Sequence, residues 1–210
     1  MKKDWELKKI IDVCLVTDYV ANGSFASLSA NVKYNYEKDF AVLVRTTDYV
    51  KNWKKDFVYV SEDAYKFLNK SKLFVDDIVI SNVGEPGITF KIPDLGQPMT
   101  LGPNSILVRS LDKKKLTQEY LYYLFFSEYG QSLLESITTG TAQKKFNKTN
   151  FRELEIPIPP IDEQNKLVDI LDKAFISFEV VKKNTEKKLL VLKDLKKSFL
   201  QKAFSGELKV

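Results

Sequence analysis

Histidine is absent from the 210 residues of the chain, cysteine occurs once and arginine only three times. Without histidine, catalysis by Ser-His-Asp or Cys-His groups is excluded, and so are zinc and iron sites with histidine ligands. The lone Cys14 can form neither an intramolecular disulfide nor a cysteine metal site. We therefore predict no catalytic residue, no metal and no cofactor.

Long apolar runs are also lacking. No uncharged apolar stretch approaches the roughly 18 residues that cross a bilayer. The first residues, Met1 to Glu6, lack the apolar segment of a signal peptide. We expect a cytoplasmic protein that has no membrane partner.

The composition that is present belongs to a folded protein with a mild positive charge. Hydrophobic residues make up 44% of the chain, which is enough to bury a core. The 33 Lys and Arg residues exceed the 28 Asp and Glu residues, which gives a net charge of +5. This charge suits a polyanionic partner without proving one. By length we expect one domain, or one domain with an appendage.

Residues 1–155 alternate between strand-like and helix-like patterns. Short apolar runs bounded by Gly, Pro, Asn or Asp predict strands, and apolar residues at helical spacing predict helices. The expected strands are 40–45, 57–60, 77–81 and 105–109, and the expected helices are 62–70 and 117–137. We expect the longer helix to begin after Thr117 and to stop at Gly140. The pattern predicts an α+β domain with a curled, mostly antiparallel sheet.

Prolines separate this domain from the remainder of the chain. Residues 156–161 begin with Ile156-Pro-Ile-Pro-Pro160, which cannot be helical because each proline fixes φ and pushes its predecessor toward extended geometry. Residues 162–210 follow, without Gly or Pro until Gly206. We predict a linker over 156–161 and then a long helix that Gly206 ends.

The predicted helix carries an apolar stripe with a heptad repeat. Seven of its ten a and d positions are apolar, with Thr185 and Lys188 as polar breaks. The apolar stripe consists of Leu171, Ala174, Phe178, Val181, Leu192, Leu195 and Phe199. Because the helix would reach roughly 60 Å, it cannot cover this stripe along its full length with its own domain. We predict a dimerising coiled coil; the alternative is a long surface helix packed on the domain.

Three motifs in order give the chain a family resemblance. The first motif is the Pro-rich segment with Asp162-Glu163-Gln164, the second is a Lys-rich helix, and the third is Ala203-Phe204-Ser205-Gly206-Glu207-Leu208. In this order the three motifs resemble the specificity (S) subunit of type I restriction-modification systems. Upstream, residues 42–48, 76–87 and 140–147 are similar to family elements more loosely, and Asp76 stands where glycine is usual. A full member has two recognition domains and two helices, whereas this chain has one of each. The chain therefore resembles a half subunit. It is expected to be either a natural half subunit, which the start at Met1 favours, or a fragment of a longer chain.

The resemblance implies a non-catalytic subunit that recognises DNA sequence, with a target-recognition domain in 1–155 and a conserved helix in 162–210. Two copies would pair through their helices and bind two half-sites of double-stranded DNA. If the helices pair antiparallel, two-fold symmetry places the domains at opposite ends, although the sequence alone does not settle the orientation. The helix would dock methyltransferase subunits, and through them the endonuclease subunit. The alternative from another class is a coiled-coil adaptor without DNA recognition.

Three segments contain candidate DNA contacts. DNA binding uses Lys and Arg for phosphates, Gln, Asn and Arg for base edges, and glycine where the backbone approaches closely. The loop 139–148 supplies lysines, amide side chains and Gly140. Its candidate contacts are Thr141, Gln143, Lys144, Lys145, Asn147 and Lys148. The loop 81–87 supplies Ser81, Asn82 and Gly84, and a third basic cluster contains Arg45 with Lys51, Lys54 and Lys55. The structural alternative is a solvated loop for 139–148, a glycine turn for 81–87 and a half-buried surface for the cluster around Arg45.

One weak pattern points to a different activity. Asp94 followed by Asp112 and Lys114 fits the loose spacing of Mg²⁺-dependent nucleases, in which two carboxylates hold the ion. The pattern is short and common by chance. A glycine-rich methyltransferase turn and a Walker A sequence are both missing, so methyl transfer, translocation and cleavage are assigned to partner subunits.

Overall fold

The computed structural model describes residues 4–54 and 56–207. The chain divides into two units, with the boundary between residues 165 and 166. The strands are β1 Glu6–Lys9, β2 Cys14–Asp18, β3 Ala41–Val44, β4 Val58–Val60, β5 Lys72–Leu73, β6 Ile78–Ser81, β7 Val83–Gly84, β8 Thr89–Lys91, β9 Met99–Leu101, β10 Ser105–Ser110, β11 Lys144–Lys145 and β12 Glu155–Ile158. The helices are α1 Ile10–Val13, α2 Phe25–Asn31, α3 Thr46–Val50, α4 Glu62–Phe67, α5 Gln118–Phe126, α6 Glu128–Ser136, α7 Lys148–Arg152 and α8 Ile161–Phe204, with 3₁₀ turns at Tyr19–Asn22 and Asn69–Ser71.

Two four-stranded sheets form the centre of the first unit. The first has the strand order β2-β10-β6-β8 and is antiparallel throughout, and the second has the order β4-β3-β9-β5, in which only β3 and β9 run parallel. Two small sheets, β1-β12 and β11-β7, lie outside them. The predicted α+β class with mostly antiparallel strands is confirmed.

The apolar run of β3 explains why that strand is central. Successive side chains of a strand point to opposite faces, and all four residues from Ala41 to Val44 are fully buried. Val42 and Val44 join a core cluster with Val79 and Leu107 of the other large sheet. Ala41 and Leu43 join a second cluster with residues of α2 and α4. Both faces of the strand are therefore covered.

The predicted helix at 117–137 is wrong in one respect, because it is broken into α5 and α6. Thr117 begins α5 as predicted, since its Oγ accepts a hydrogen bond from the Tyr120 N–H at 3.1 Å. Ser127 interrupts the run with an extended ψ of 159° and caps α6 through the Gly130 N–H at 3.2 Å. A Cβ on Gly130 would lie 2.1 Å from the Leu124 carbonyl oxygen, so the close turn needs glycine. The stop is at Ser136 and not at Gly140.

The proline-rich segment is partly a strand. Residues Glu155–Ile158 pair antiparallel with Glu6–Lys9, and Pro157 lies opposite Leu7. Just beyond this strand, the buried Gln164 amide accepts from the Thr117 N–H at 2.9 Å and donates to the Lys115 and Pro159 carbonyls at 2.8 Å. The prolines exclude helix as predicted, but α8 begins at Ile161, one residue earlier than expected.

The long C-terminal helix is confirmed. α8 contains 44 residues, which corresponds to about 66 Å at 1.5 Å per residue. It ends at Phe204, and Gly206 beyond it has a φ of +76°, a left-handed conformation that favours glycine. Leu208, the last residue of the closing motif, lies outside the described residues. No helix in the described ranges is both long enough and apolar enough to span a membrane.

Candidate nucleic-acid interface

The two loops predicted to contact DNA are joined in one structure. β11 of the loop 139–148 pairs antiparallel with β7 of the loop 81–87, so that Lys144 lies opposite Gly84 and Lys145 opposite Val83. The contact continues at Asn82, whose Nδ2 donates to the Phe146 carbonyl at 3.1 Å and whose carbonyl accepts from the Phe146 N–H at 3.0 Å. We call residues 82–85 together with 139–146 the paired loops.

The tip of the paired loops is a tight hairpin that depends on glycine. Thr139 and Lys145 exchange two backbone hydrogen bonds of 2.8 Å, which close the five residues between them. Gly140 has a φ of +97°, and a Cβ there would lie 2.4 Å from the Gln143 carbonyl oxygen. Another residue at this position would therefore be strained and would also clash.

The base of the hairpin is anchored in the core. Phe146 is only 2% exposed and stacks on Phe151 with ring centroids 5.9 Å apart. Phe151 in turn packs on Phe125 of α5 at 5.3 Å. The exposed tip is thus held by an aromatic cluster directly below it.

Five of the ten predicted contact residues lie together on the exposed part of the paired loops. They are Gly84, Thr141, Gln143, Lys144 and Lys145. Neither lysine has an ion-pair partner among the described residues. Because neighbouring residues of a strand point to opposite faces, Lys144 and Lys145 can reach two different phosphates. A Cβ added to Gly84 would have no other atom within 4 Å, so a ligand can approach the backbone there.

Two further predicted contacts have structural roles at the start of α7. Asn147 caps this helix, since its Oδ1 accepts from the Asn150 N–H at 2.7 Å. The Lys148 Nζ forms an ion pair with Asp18 at 2.8 Å, and both side chains are largely buried. These contacts fix the base of the hairpin, where Asn147 is exposed and the Lys148 side chain is largely buried.

Ser81 and Asn82 also have internal partners, which the sequence did not indicate. Ser81 is 2% exposed, and its hydroxyl donates to the Glu85 carbonyl and accepts from the Ile88 N–H at 2.9 Å. The Asn82 amide holds Phe146, as described above. We therefore remove Ser81 from the contact surface and regard Asn82 as a residue that positions the paired loops.

Arg45 is engaged inside the domain. Its guanidinium donates to the buried Asp48 carboxylate at 2.7 and 3.2 Å and to the Asp56 carbonyl at 2.7 Å. The hydrogen bond to Asp48 raises the pKa of Arg45. These bonds hold the guanidinium against the domain through its Nε and Nη2 groups, so Arg45 has a structural role, and its contact with DNA stays a prediction.

The basic cluster around Arg45 combines the exposed Lys51 and Lys54 with half-buried aromatic residues. Lys51 pairs with Asp56 at 3.0 Å, and Lys55 lies outside the described residues. The aromatic residues between these lysines belong to the core, because Tyr49 stacks on Phe90 at 4.7 Å and Trp53 contacts the same ring at 5.7 Å.

A third turn beside the paired loops was missed in the sequence. Asn104, between β9 and β10, has a φ of +68°, and its carbonyl accepts from the Asn82 N–H at 3.0 Å. Asn104 and Pro103 line two clefts, of about 560 and 530 Å³, together with Val83. The Gly-Pro-Asn tripeptide at 102–104 signals a turn, but its contact with Asn82 depends on the tertiary structure.

The carboxylates of the nuclease-like pattern stabilise turns. The Asp94 Oδ1 accepts from the Gly96 N–H at 2.8 Å, and the Asp112 Oδ1 accepts from the Lys114 N–H at 2.9 Å. Within the part of the chain that the structure describes, no group of three or more His, Cys, Asp or Glu residues could hold a metal ion. The nuclease interpretation therefore has no support from the geometry.

An α+β domain with basic, glycine-containing loops that continues into a 44-residue helix has the features of a DNA-binding recognition module. The family model described as "Type I restriction modification DNA specificity domain" matches residues 2–190. The chain therefore belongs to the family of type I restriction-modification DNA specificity proteins. Asp76, where members of this family usually have glycine, has a φ of +68°, the conformation that glycine favours.

Curated relatives and solved structures agree with this assignment. The chain is 27% identical over 210 residues to the "Putative type I restriction enzyme MjaX specificity subunit" of Methanocaldococcus jannaschii, with 97% of this chain and 46% of that protein covered. A chain from a structure of the type I R-M system has a TM-score of 0.72 at 20% identity, covering 99% of this chain and 47% of that one. The HsdS subunit of Thermoanaerobacter tengcongensis has a TM-score of 0.61 at 20% identity, covering 99% and 46%. The chain spans about half the length of these proteins.

Proposed function

We propose that this chain is the non-catalytic DNA sequence-recognition subunit of a type I restriction-modification complex. The pairing of β7 with β11 carries the proposal, because it places Gln143, Lys144 and Lys145 together on one exposed hairpin. Lysines hold backbone phosphates, and a glutamine amide can make two hydrogen bonds to the edge of adenine. The paired loops therefore combine attachment to the duplex with discrimination between bases.

The apolar stripe of α8 supports a homodimer. Phe178, Val181, Leu192, Leu195 and Phe199 are each between 50% and 64% exposed. Apolar side chains with this heptad spacing are covered in a coiled coil by a second helix. We propose that the second helix belongs to another copy of the chain and runs antiparallel to the first, so that each domain binds one half-site.

The length of the relatives is consistent with this pairing. This chain covers 46% of the relative from M. jannaschii, so two copies supply about the amount of chain that one relative contains. In this arrangement residues 1–155 form the recognition domain, 156–161 the linker and 162–210 the dimerising helix. The target is then an inverted repeat with a spacer whose length the helices set.

Catalysis is assigned to partner subunits. In the proposal, methyltransferase subunits dock on the helical part of the dimer, and the endonuclease subunit joins through them. In this proposal the cofactor and the reacting groups belong to the partner subunits. Its contribution is to place the partner enzymes at a defined DNA sequence.

The proposal is tested by selection of DNA targets with the full chain bound to its methyltransferase subunits. We expect a single bipartite inverted repeat to be enriched from random duplexes, with affinity that falls steeply as salt rises. Equal binding to all duplexes by that complex would contradict sequence recognition. Absence of any salt-dependent binding to DNA would instead support the adaptor alternative.

A further inference from the structure

A second basic surface lies on the first large sheet, away from the tip of the paired loops. A cleft of about 470 Å³ opens over β2 and β10, where Leu15 lies opposite Arg109 and Thr17 opposite Leu107. Residues directly opposite in an antiparallel pair share a face of the sheet, so these four side chains form the floor. We call this site the basic cleft, because five cationic residues line it: Lys70, Lys72, Arg109, Lys148 and Arg152.

The positive charge of the basic cleft is only partly balanced. Asp77 accepts two hydrogen bonds of 2.6 Å from Arg109, and Asp18 pairs with Lys148 at 2.8 Å. The remaining three cations belong to Lys70, Lys72 and Arg152. None of them has a carboxylate partner among the ion pairs of the described residues. Among the described residues that line the cleft there is no Asp or Glu.

Further contacts hold two of these three side chains, and also the ion-paired Arg109, in place. The Arg152 guanidinium donates to the Val16 carbonyl of β2. The Lys72 Nζ lies 4.7 Å from the centre of the Tyr65 ring, and the Arg109 guanidinium lies 4.7 Å from that of Phe74. Three unbalanced like charges around one cleft repel each other, so an anion with several charges would be attracted to it.

The basic cleft is adjacent in the fold to the end of the paired loops. Lys148 follows Lys145 by three residues and lines the cleft. Arg152 stands one helical turn after Lys148 on α7, and both contact β2, through Asp18 and Val16 respectively. The helix that follows the hairpin thus contributes two of the cations that line the cleft.

From this continuity we propose that the basic cleft binds backbone phosphates of the same DNA duplex, beside the bases that the paired loops contact. This inference rests on the proposed function, and it adds a surface that contributes affinity and orientation but no sequence preference. It assigns Lys70, Lys72 and Arg152, which no motif in the sequence singles out, to DNA binding.

The test compares the double variant Lys70→Ala/Lys72→Ala with the matched control Lys66→Ala/Lys113→Ala in the full-length protein. Binding to a selected target duplex and to a scrambled duplex is measured at several salt concentrations. We expect the first variant to bind both duplexes on the order of tenfold more weakly and its salt slope to fall by about 1.8, which is about 0.9 for each phosphate that a lysine no longer neutralises. The ratio between the two duplexes should not change, and the control should behave as wild type.

Lys72 belongs to β5, so its substitution could disturb that strand. The single variant Lys70→Glu changes an exposed residue outside β5 and tests the cleft without this effect. An unchanged affinity and salt slope in a folded Lys70→Glu protein would overturn the inference. Binding of inorganic phosphate that depends on these lysines, with duplex binding unaffected, would overturn it as well.

A second pair of results separates this inference from the proposed function. Loss of sequence preference in Gln143→Ala, with full affinity in Lys70→Ala/Lys72→Ala, would remove the basic cleft and keep the proposed function. Equal wild-type binding to all duplexes, abolished in Lys70→Ala/Lys72→Ala, would keep the cleft and remove sequence recognition. No wild-type binding to any duplex would remove both.

Discussion

Asn82 and Phe146 exchange two hydrogen bonds, although 64 residues separate them in the chain. Asn82 follows the buried strand β6, and Phe146 is fixed in the aromatic cluster below the hairpin. This link sets the position of both loops with respect to the core. The exposed residues of the paired loops therefore belong to one joined structure and not to two independent loops.

Gly140→Ala should disturb the hairpin more than an ordinary glycine substitution. Its φ of +97° strains any other residue, and the new Cβ would meet the Gln143 carbonyl at 2.4 Å. Gly96→Ala is a matched control, because Gly96 also has a positive φ, of +68°, but nothing lies within 4 Å of its added Cβ. We expect Gly140→Ala to cost about 1–3 kcal/mol of stability, more than Gly96→Ala, and to weaken DNA binding selectively. Equal effects of the two variants in denaturant and DNA titrations would show that the clash is relieved at no cost.

Gln143→Ala should relax specificity at one base pair of each half-site. A bidentate contact between an amide and adenine contributes about 1–3 kcal/mol of discrimination. Competition with duplexes that carry single-base changes measures this effect position by position. A uniform loss of affinity for all of these duplexes would instead place Gln143 against the DNA backbone.

Lys144→Ala should weaken binding to every duplex by a similar factor and lower the salt slope by about 0.9. Its side chain is exposed and has no ion-pair partner among the described residues, so stability should not change. Lys113→Ala, another exposed lysine, provides the control. A salt slope in Lys144→Ala equal to that of the control would exclude a phosphate contact.

Phe178→Asp and Leu192→Asp should each convert the dimer to a monomer while the globular unit stays folded. The two side chains are 64% and 60% exposed in the single chain, and a charge within the stripe would be buried on pairing. Light scattering gives the mass, and near-ultraviolet circular dichroism reports the aromatic core. Lys183→Asp, outside the stripe, should remain dimeric. A wild-type chain that is monomeric at micromolar concentration would contradict the coiled coil.

Cys14 should react with thiol reagents only after unfolding. Burial raises the pKa of Cys14 to about 12, so the folded protein holds the neutral thiol well above the pH at which an unfolded cysteine ionises. Since the raised pKa belongs to the folded state, its contribution to stability falls as pH rises from about 8.5 toward 12. Alkylation at about pH 8, with and without denaturant, checks the first expectation. Rapid labelling of the folded chain would contradict the buried position.

Local sequence patterns were sufficient for four strands of the two large sheets, β3, β4, β6 and β10, for α4 and for the long C-terminal helix, but not for the short strands and the other short helices between them. The apolar runs at 41–44 and 105–110 are strands, and the absence of Gly and Pro after Asp162 predicts the long helix. The break at Ser127 was missed because the apolar spacing continues across it. A serine that caps a second helix, followed by a glycine in the close turn, was the available signal.

The candidate site was harder to predict because its residues have long-range partners. Arg45 and Lys148 are cationic, as phosphate contacts usually are, but they form ion pairs with Asp48 and Asp18 of the same domain. Residue type and exposure in a loop do not reveal such a partner. By contrast, the loop 139–145 was recognised correctly as exposed, because Gly140 and the polar residues after it favour a turn.

The strands β7 and β11 form a sheet of their own, and neither joins the two four-stranded sheets that hold the core. Residues 141–143 of the tip can therefore be exchanged while the packing beneath Phe146 stays as it is, whereas Gly140 is fixed by its φ of +97°. If the paired loops contact DNA as proposed, such proteins can acquire a new target through the few residues of one hairpin that the fold does not fix.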